Sequence, residues 1–530
     1  MSTLLDLRAA EAAIARLLLA CMLLVGCNSD DPGANGTSTR NSAEMLTPAT
    51  NHNVGAGQRR LFEGWPTPAV TLVLTGEQQG YLEPCGCTDG QSGGISRRAD
   101  LIHRLADEKG WPLTAFDLGG TVRRNRRQSE IKFETMLAAL KDMRYTALGL
   151  GPAELRFGPE FLLAMQPFKE ESPETSLTFL GANIVLFNDP EIGTPTRWKV
   201  LTVGGKKIGV TAVLGKREQS ELLPKGTNVQ ISMQAAEEAL PPVVEQLQAE
   251  NLDLLVLLSY SSLEESTALA QMFPAFDLIV SAGGPEDPDG QPIAVGQTML
   301  VNVGQKGKHV GVVGLFPDDA EHRLRFELVE LEKSRFQDTP KMVEHMRAYQ
   351  IRLREEEIVK TELSINHPSG AEFVGAEACG ECHTKAFEKW KKTPHFGAFE
   401  SLKQARKGDK DYGITRIYDP ECLACHVTGW HPQEVLRYDT GFLNAEFATN
   451  PDDKEHSLLL KGQQCESCHG PGSRHIELVG DGKKEEAGQL MWVSLDEAEE
   501  KMCAGCHDPD NSPHFEFKRY WSRVIHRGLN

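Results

Sequence analysis

The sequence has no excess of positive charge: 56 Lys and Arg stand against 75 Asp and Glu, a formal net charge of −19 over 530 residues. A chain this acidic lacks the cationic footprint that general nucleic-acid binding needs. Long apolar runs are also missing. Beyond the first 27 residues no stretch is long and apolar enough to cross a bilayer. Disorder throughout is excluded, because 40% of residues are hydrophobic and only 25% are charged. The length exceeds what one core usually organises, so at least two domains are expected. The uneven feature is cysteine. Of the 12, eight fall between Cys379 and Cys506 as four pairs, each followed directly by His.

The first 27 residues place Arg8 and Arg16 ahead of an apolar run, Leu17 to Val25, that closes on Leu24-Val25-Gly26-Cys27. This close resembles the bacterial lipobox, whose Cys becomes the acylated first residue of the mature protein. The expectation is a signal peptide over 1–26, lipidation of Cys27 and an extracytoplasmic, membrane-anchored protein. Residues 27–65, rich in Asn, Ser, Thr, Gly and Pro, read as a flexible tether.

Four times the chain reads Cys-x-x-Cys-His: Cys379, Cys382, His383; Cys422, Cys425, His426; Cys465, Cys468, His469; and Cys503, Cys506, His507. Two thiols at this spacing add across the vinyl groups of one haem, and the adjacent imidazole reaches the iron. Zinc would not require His directly after every second Cys. Four covalently bound haem c groups are therefore expected, and their attachment outside the cytoplasm agrees with the leader. So many porphyrins in a short segment must themselves form much of its core.

From Pro68 to about Leu331, short apolar runs alternate with amphipathic stretches. Strands are predicted at Ala69–Thr75, Leu113–Leu118, Thr146–Leu150, Ile208–Leu214, Leu252–Ser259, Phe276–Ser281, Met299–Val303 and Val310–Phe316. Helices are predicted near Ser96–Asp107, Glu130–Asp142 and Met233–Ala249. The fold class is α/β, a layered sheet-and-helix domain over 66–335, followed by a mostly helical, loop-rich multihaem cytochrome c domain over 367–530. Residues 336–366 read as a charged connector, a solvated helix with Met342, Met346, Tyr349 and Leu353 at helical spacing.

The order of motifs in the first domain resembles metallophosphoesterases of the 5′-nucleotidase type. At the positions where that family carries metal-binding Asp and His, this chain has Glu77-Gln78-Gln79-Gly80, Leu118-Gly119-Gly120 and Gly151-Pro152-Ala153-Glu154. Ser259-Tyr260-Ser261 and Ala282-Gly283-Gly284-Pro285 stand where its later histidines would be. A dinuclear centre needs clustered carboxylates and imidazoles. The resemblance thus implies the fold and argues against hydrolysis; an active phosphoesterase is the remaining alternative. Cys85 and Cys87 nearby admit a metal, redox or disulfide role, which the spacing does not decide.

The segments Trp390-Lys-Lys-Thr-Pro-His395, Cys425-His426-Val427-Thr428-Gly429-Trp430 and Cys465 through Gly472 resemble the tetrahaem cytochrome c-554 family. By that resemblance His395 and His475 are distal iron ligands, and a third comes from a helix after the last motif. His526 is preferred to His514 for that role. Three donors for four irons leave the haem at Cys422 and Cys425 five-coordinate. The resemblance implies electron transfer with redox partner proteins of the periplasm or cell envelope, rather than hydrolysis. The alternative is a multihaem oxidoreductase acting on a small nitrogen or oxygen compound at the open iron. Acidity extends through the haem segment, yet its end carries Lys518, Arg519, Arg523 and Arg527, read as a solvated helix face or as propionate partners.

Overall fold

Two six-stranded sheets lie face to face in a computed structural model that describes residues 60–84, 90–166, 175–222, 230–403 and 413–527. The expected leader, Cys27, and Cys85 and Cys87 lie outside the described residues. The first sheet runs Leu324–Glu330, His309–Leu315, Val70–Thr75, Leu113–Asp117, Tyr145–Gly149, Thr178–Leu180. The last four strands are parallel, and the two from the end of the domain add antiparallel to the edge. The second sheet runs Ile293–Val295, Thr298–Asn302, Leu278–Ser281, Leu254–Tyr260, Lys206–Leu214, Trp198–Val203, with parallel pairing in its middle.

Period-two alternation explains the layering. Leu72, Leu74 and Phe116 point inward to meet Val210, Val256 and Leu258 of the facing sheet. Val73 and Ala115 point outward, under the helices Ile95–His103 and Arg127–Asp142. The helices Ala236–Gln248 and Leu263–Met272 cover the outer face of the second sheet. The body is thus a four-layered α/β sandwich, with the loops after its parallel strands gathered at the carboxyl ends.

Two expectations are corrected. The connector does not stand in solvent: Pro340, suited to the first turn by its fixed φ, starts a helix, Pro340–Glu355, that buries its apolar stripe in the first domain's core. Met342, Met346, Tyr349 and Leu353 are all at most 6% exposed. The tether also ends earlier than residue 65, because Phe62 is buried and Trp65 stacks on Trp111. The Phe62 backbone N–H donates to Glu327 Oε2 at 2.7 Å.

The C-terminal part is helical and loop-rich, with one small three-stranded sheet and a core built around Phe373, Phe399, Leu423, Val427 and Phe442. From Arg60 onward the chain forms one compact unit. Among the described residues no helix is long and apolar enough to cross a membrane.

Candidate functional site

Each Cys-x-x-Cys-His motif lies on or beside a short helical turn. Pro420–His426 and Cys465–His469 carry theirs entire; Ala376–Gly380 leads into Cys382 and His383, and Ala504–Cys506 into His507. One turn of helix puts both thiols and the imidazole on neighbouring faces, as attachment to one macrocycle requires. The thiol of Cys379 lies close to that of Cys465, and Cys425 close to Cys506, so the motifs gather first with third and second with fourth.

The imidazoles form three pairs. His383 and His475 have ring centres 6.2 Å apart, His395 and His507 6.1 Å, and His469 and His526 5.7 Å. Every pair joins a motif His to a His outside the motifs. Two imidazoles bound at about 2 Å to opposite sides of one metal put their ring centres about 6 Å apart, so the residues present fit a haem iron in each gap. Contacts of the other ring nitrogen support the same reading. His469 Nδ1 lies 2.7 Å from Met491 O, His475 Nδ1 2.9 Å from Ala487 O and His526 Nδ1 3.0 Å from Val524 O. An imidazole that donates from Nδ1 keeps the Nε2 lone pair for metal. Burial lowers the pKa of His395, His426, His469 and His507, which favours the neutral, ligating form.

His426 differs. Its Nδ1 lies 2.8 Å from Ala398 O, but among the described residues no second imidazole pairs with it. His514 is exposed and pairs with none of the motif imidazoles. His431, His456 and His367 are engaged elsewhere, with the Glu434 N–H, Thr440 O and the ring of Tyr438 respectively. Five large apolar side chains adjacent or close in sequence to the paired imidazoles, Phe396, Ile476, Leu490, Trp492 and Ile525, are exposed. Such a surface suits a flat apolar macrocycle.

At the carboxyl ends of the body strands lies a closed hydrogen-bond set. Glu154 is fully buried and accepts from the N–H groups of Gly120, Thr121 and Gly151 at 3.1, 2.7 and 3.0 Å, and from the Thr121 hydroxyl at 2.6 Å. Tyr260 donates its hydroxyl to Glu77, whose other oxygen takes Gln79 Nε2 at 3.0 Å. Burial raises the pKa of Glu77, and these two donors act against it. Asp117 accepts from the Thr75 hydroxyl and from the Gly119 N–H. Ser259, Ser261, Ser266 and Ser281 satisfy one another in a buried hydroxyl cluster.

The Tyr260 ring packs directly on this loop backbone. A Cβ at Gly151 would meet it at 2.6 Å, and one at Gly120 would meet Glu77 Oε1 at the same distance. Glu77, Gln79 and Lys306 all hold left-handed backbone, each at a cost of about 1–2 kcal/mol. Backbone bonds from Glu77 N to Gly119 O and from Lys306 N to Glu77 O, at 2.8 and 2.7 Å, hold that loop.

The same end of the body grips the haem segment, a junction that sequence reading missed. Asp419 caps the helix carrying the second motif and accepts from Gln128 of the body and Gln350 of the connector helix, both at 2.8 Å. Next to it, Glu421 pairs with Lys132 and, at 3.0 Å, with Arg124. Burial opposes the Glu421 charge, but the two cations outweigh it and hold the carboxyl below its usual range. Glu83 pairs with Arg416. Beyond the fourth motif, Asp510 takes Tyr81 at 2.9 Å and Lys306 at 2.7 Å, and its carbonyl takes Gln91 at 2.8 Å.

Residues 378–470 match the protein family described as cytochrome c554 and c-prime. Cytochrome c-554 of Nitrosomonas europaea is 32% identical over 154 residues, covering 26% of this chain and 58% of that protein. A 5′-nucleotidase of Bos taurus is 25% identical over 269 residues, covering 47% of this chain and 45% of that one. An apyrase of Aedes aegypti is 30% identical over 147 residues, 27% of this chain and 25% of its own. The chain thus spans less than two thirds of the length of each of these relatives. Among solved structures, a 5′-nucleotidase precursor from Thermus thermophilus superposes with a TM-score of 0.46 at 18% identity, covering 56% of this chain and 61% of that one.

Proposed function

We propose that this chain, whose residues 378–470 match a cytochrome c554 family, is an exported tetrahaem c-type cytochrome that transfers electrons. The observation that carries this reading is the set of three imidazole pairs, each combining one motif His with one distant His at about the span of a shared iron. His383, His426, His469 and His507 serve as proximal ligands, and His475, His395 and His526 as distal ones. Covalent haem supplies reversible one-electron chemistry, and two imidazoles suit that use because they hold the iron with little change on reduction.

The phosphoesterase-like body acts as a scaffold without hydrolytic activity. Its carboxylates are consumed by backbone N–H groups and Tyr260, and the mouth of its former site holds Asp510 of the haem segment. Lipidation at Cys27 would keep the protein at the membrane, extracytoplasmic, among redox proteins of the periplasm or envelope. A redox titration of the full chain followed by visible spectroscopy tests this: reversible reduction of low-spin haems supports it. Failure to take up electrons reversibly would refute it.

A second reading rests on one observation, the unpaired His426. An open iron there could bind a small nitrogen or oxygen compound, making the protein an oxidoreductase. Carbon monoxide added to the reduced protein distinguishes the two: binding at one haem per chain keeps this reading, and no binding removes it.

A further inference from the structure

The body covers one side of the haem segment. Its contacts reach Asp419 and Glu421 just before the second motif and Asp510 after the fourth, acidic groups held by Gln128, Lys132, Arg124, Tyr81 and Lys306, and Arg416, which pairs with Glu83. The His469–His526 pair lies in a segment with a different electrostatic character. The terminal helix Phe517–Val524 turns Phe517 inward and stacks it on Trp521, and sets Tyr520 against His507. Its opposite face carries Lys518, Arg519 and Arg523, all exposed.

A second helix, Thr384–Trp390, extends this face. Lys389 donates to the carbonyl of Ile525, the residue before His526, and Lys385, Lys391 and Lys392 are exposed nearby in sequence. On the other flank the Arg527 guanidinium sits 5.5 Å over the ring of Trp492, next to the Met491 carbonyl that His469 contacts. Glu388 engages Lys391 at 3.3 Å. Among the described residues Lys385, Lys392, Lys518, Arg519, Arg523 and Arg527 form no ion pair. A chain of net charge −19 thus carries exposed cations without ion pairs on the terminal helix that leads to His526 and on the helix that Lys389 ties to Ile525.

Resting on the electron-transfer reading, we infer that the cationic face built by Lys385, Lys389, Lys518, Arg519, Arg523 and Arg527 around His469 and His526 is the docking surface for an acidic electron-transfer protein. Opposite charge steers encounter and fixes orientation, and it does so strongly only where the local cations are not already neutralised. A protein partner fits better than a lipid surface, because helices that lie on membranes present their apolar face outward, whereas Phe517 here is buried and the outward face is charged. The exchange is a single electron: the partner is oxidised, the haem segment is reduced, and no bond forms or breaks.

The test uses the full haem-loaded chain and a plant-type ferredoxin as a small acidic redox probe. Binding measured calorimetrically at low salt is expected to weaken at least tenfold in the triple variant K518E/R519E/R523E. The K385E/K392E variant, on the other helix, is expected to weaken it severalfold. Raising salt from about 20 to about 200 mM should weaken the parent similarly. Equal binding by parent and both variants would overturn the proposal. So would parent binding to phosphatidylserine vesicles in place of ferredoxin, or haem potentials that shift in the variants while binding stays constant, which would make these cations propionate partners. Reduction by the neutral lumiflavin semiquinone separates the two levels: its failure refutes electron transfer, whereas its success with charge-insensitive ferredoxin binding refutes only the docking surface.

Discussion

The imidazole of His526 lies 5.7 Å from that of His469, centre to centre, with an interplanar angle of 64°. A residue near the chain's end thus closes a site opened by the third motif, and it does so from just beyond a helix whose apolar side is packed against the rest of the haem segment. In the proposed tetrahaem cytochrome the terminal segment would be a ligand arm.

Replacing His526 with Ala is expected to convert one haem from low-spin to high-spin and to create a new carbon monoxide site. Electron paramagnetic resonance with ligand titration measures both. His514→Ala should leave the spectrum unchanged, because His514 pairs with none of the motif imidazoles. An unaltered spectrum in His526→Ala would assign that iron's second ligand elsewhere.

Asp419 bonds three segments that are remote in sequence. Asp419→Ala removes a helix cap, worth about 1 kcal/mol, and leaves the buried Gln350 amide without an acceptor, about 1–3 kcal/mol, whereas the Gln128 amide keeps the Tyr349 hydroxyl at 2.8 Å. A loss of about 2–4 kcal/mol in denaturant unfolding is expected. Asp419→Asn, which can still cap the helix, should lose less. Equal stability in the Ala variant would mean that the body does not hold the second motif through this residue.

Tyr260 packs against Gly151 and donates its hydroxyl to Glu77. Tyr260→Phe leaves Glu77 short of a donor and should destabilise the chain by about 1–3 kcal/mol. Neither parent nor variant should hydrolyse nucleotides or phosphate esters with added manganese or zinc. Metal-dependent turnover by the parent would contradict the scaffold reading.

Glu356, at the end of the connector helix, takes Arg127 at 2.8 Å and Arg352 at 2.6 Å. Its hydrogen bond to Arg127 is the main reason that its carboxyl lies below the usual value, with partial burial acting the other way. A carboxyl depressed in the folded state stabilises it fully above the unfolded pKa, and loses that effect as pH falls through the folded value. The stability gap between parent and Glu356→Gln should therefore be present at pH 6, about 1 kcal/mol or less because the pair is partly solvated. It should shrink below about pH 4.5. A gap that grows on acidification would refute this.

The sequence exposed the parts whose chemistry is local. All eight predicted body strands exist, within a few residues at their ends, because each is an apolar run buried on both faces or alternating cleanly. Trp198–Val203 and Leu324–Glu330 escaped notice because they are edge strands with many half-exposed residues, so their periodicity is blurred. Leu263–Met272 carries Glu, Ser and Thr among its apolar positions and reads weakly as a helix, although Ser262 caps it. The haem motifs were legible because two thiols and an imidazole declare their chemistry within five residues. The junction at Asp419, Glu421 and Asp510 was not, since single polar residues that meet across hundreds of positions leave no period or motif. The apolar stripe of the connector was visible, but its surrounding charges made solvent seem its natural setting.

Coulometric reduction of the purified, haem-loaded full chain tests the central claim most directly, because it counts the electrons that each chain accepts. Four per chain, returned in full on reoxidation, is the predicted result. Fewer than four, or uptake that does not reverse, would contradict a tetrahaem electron-transfer protein.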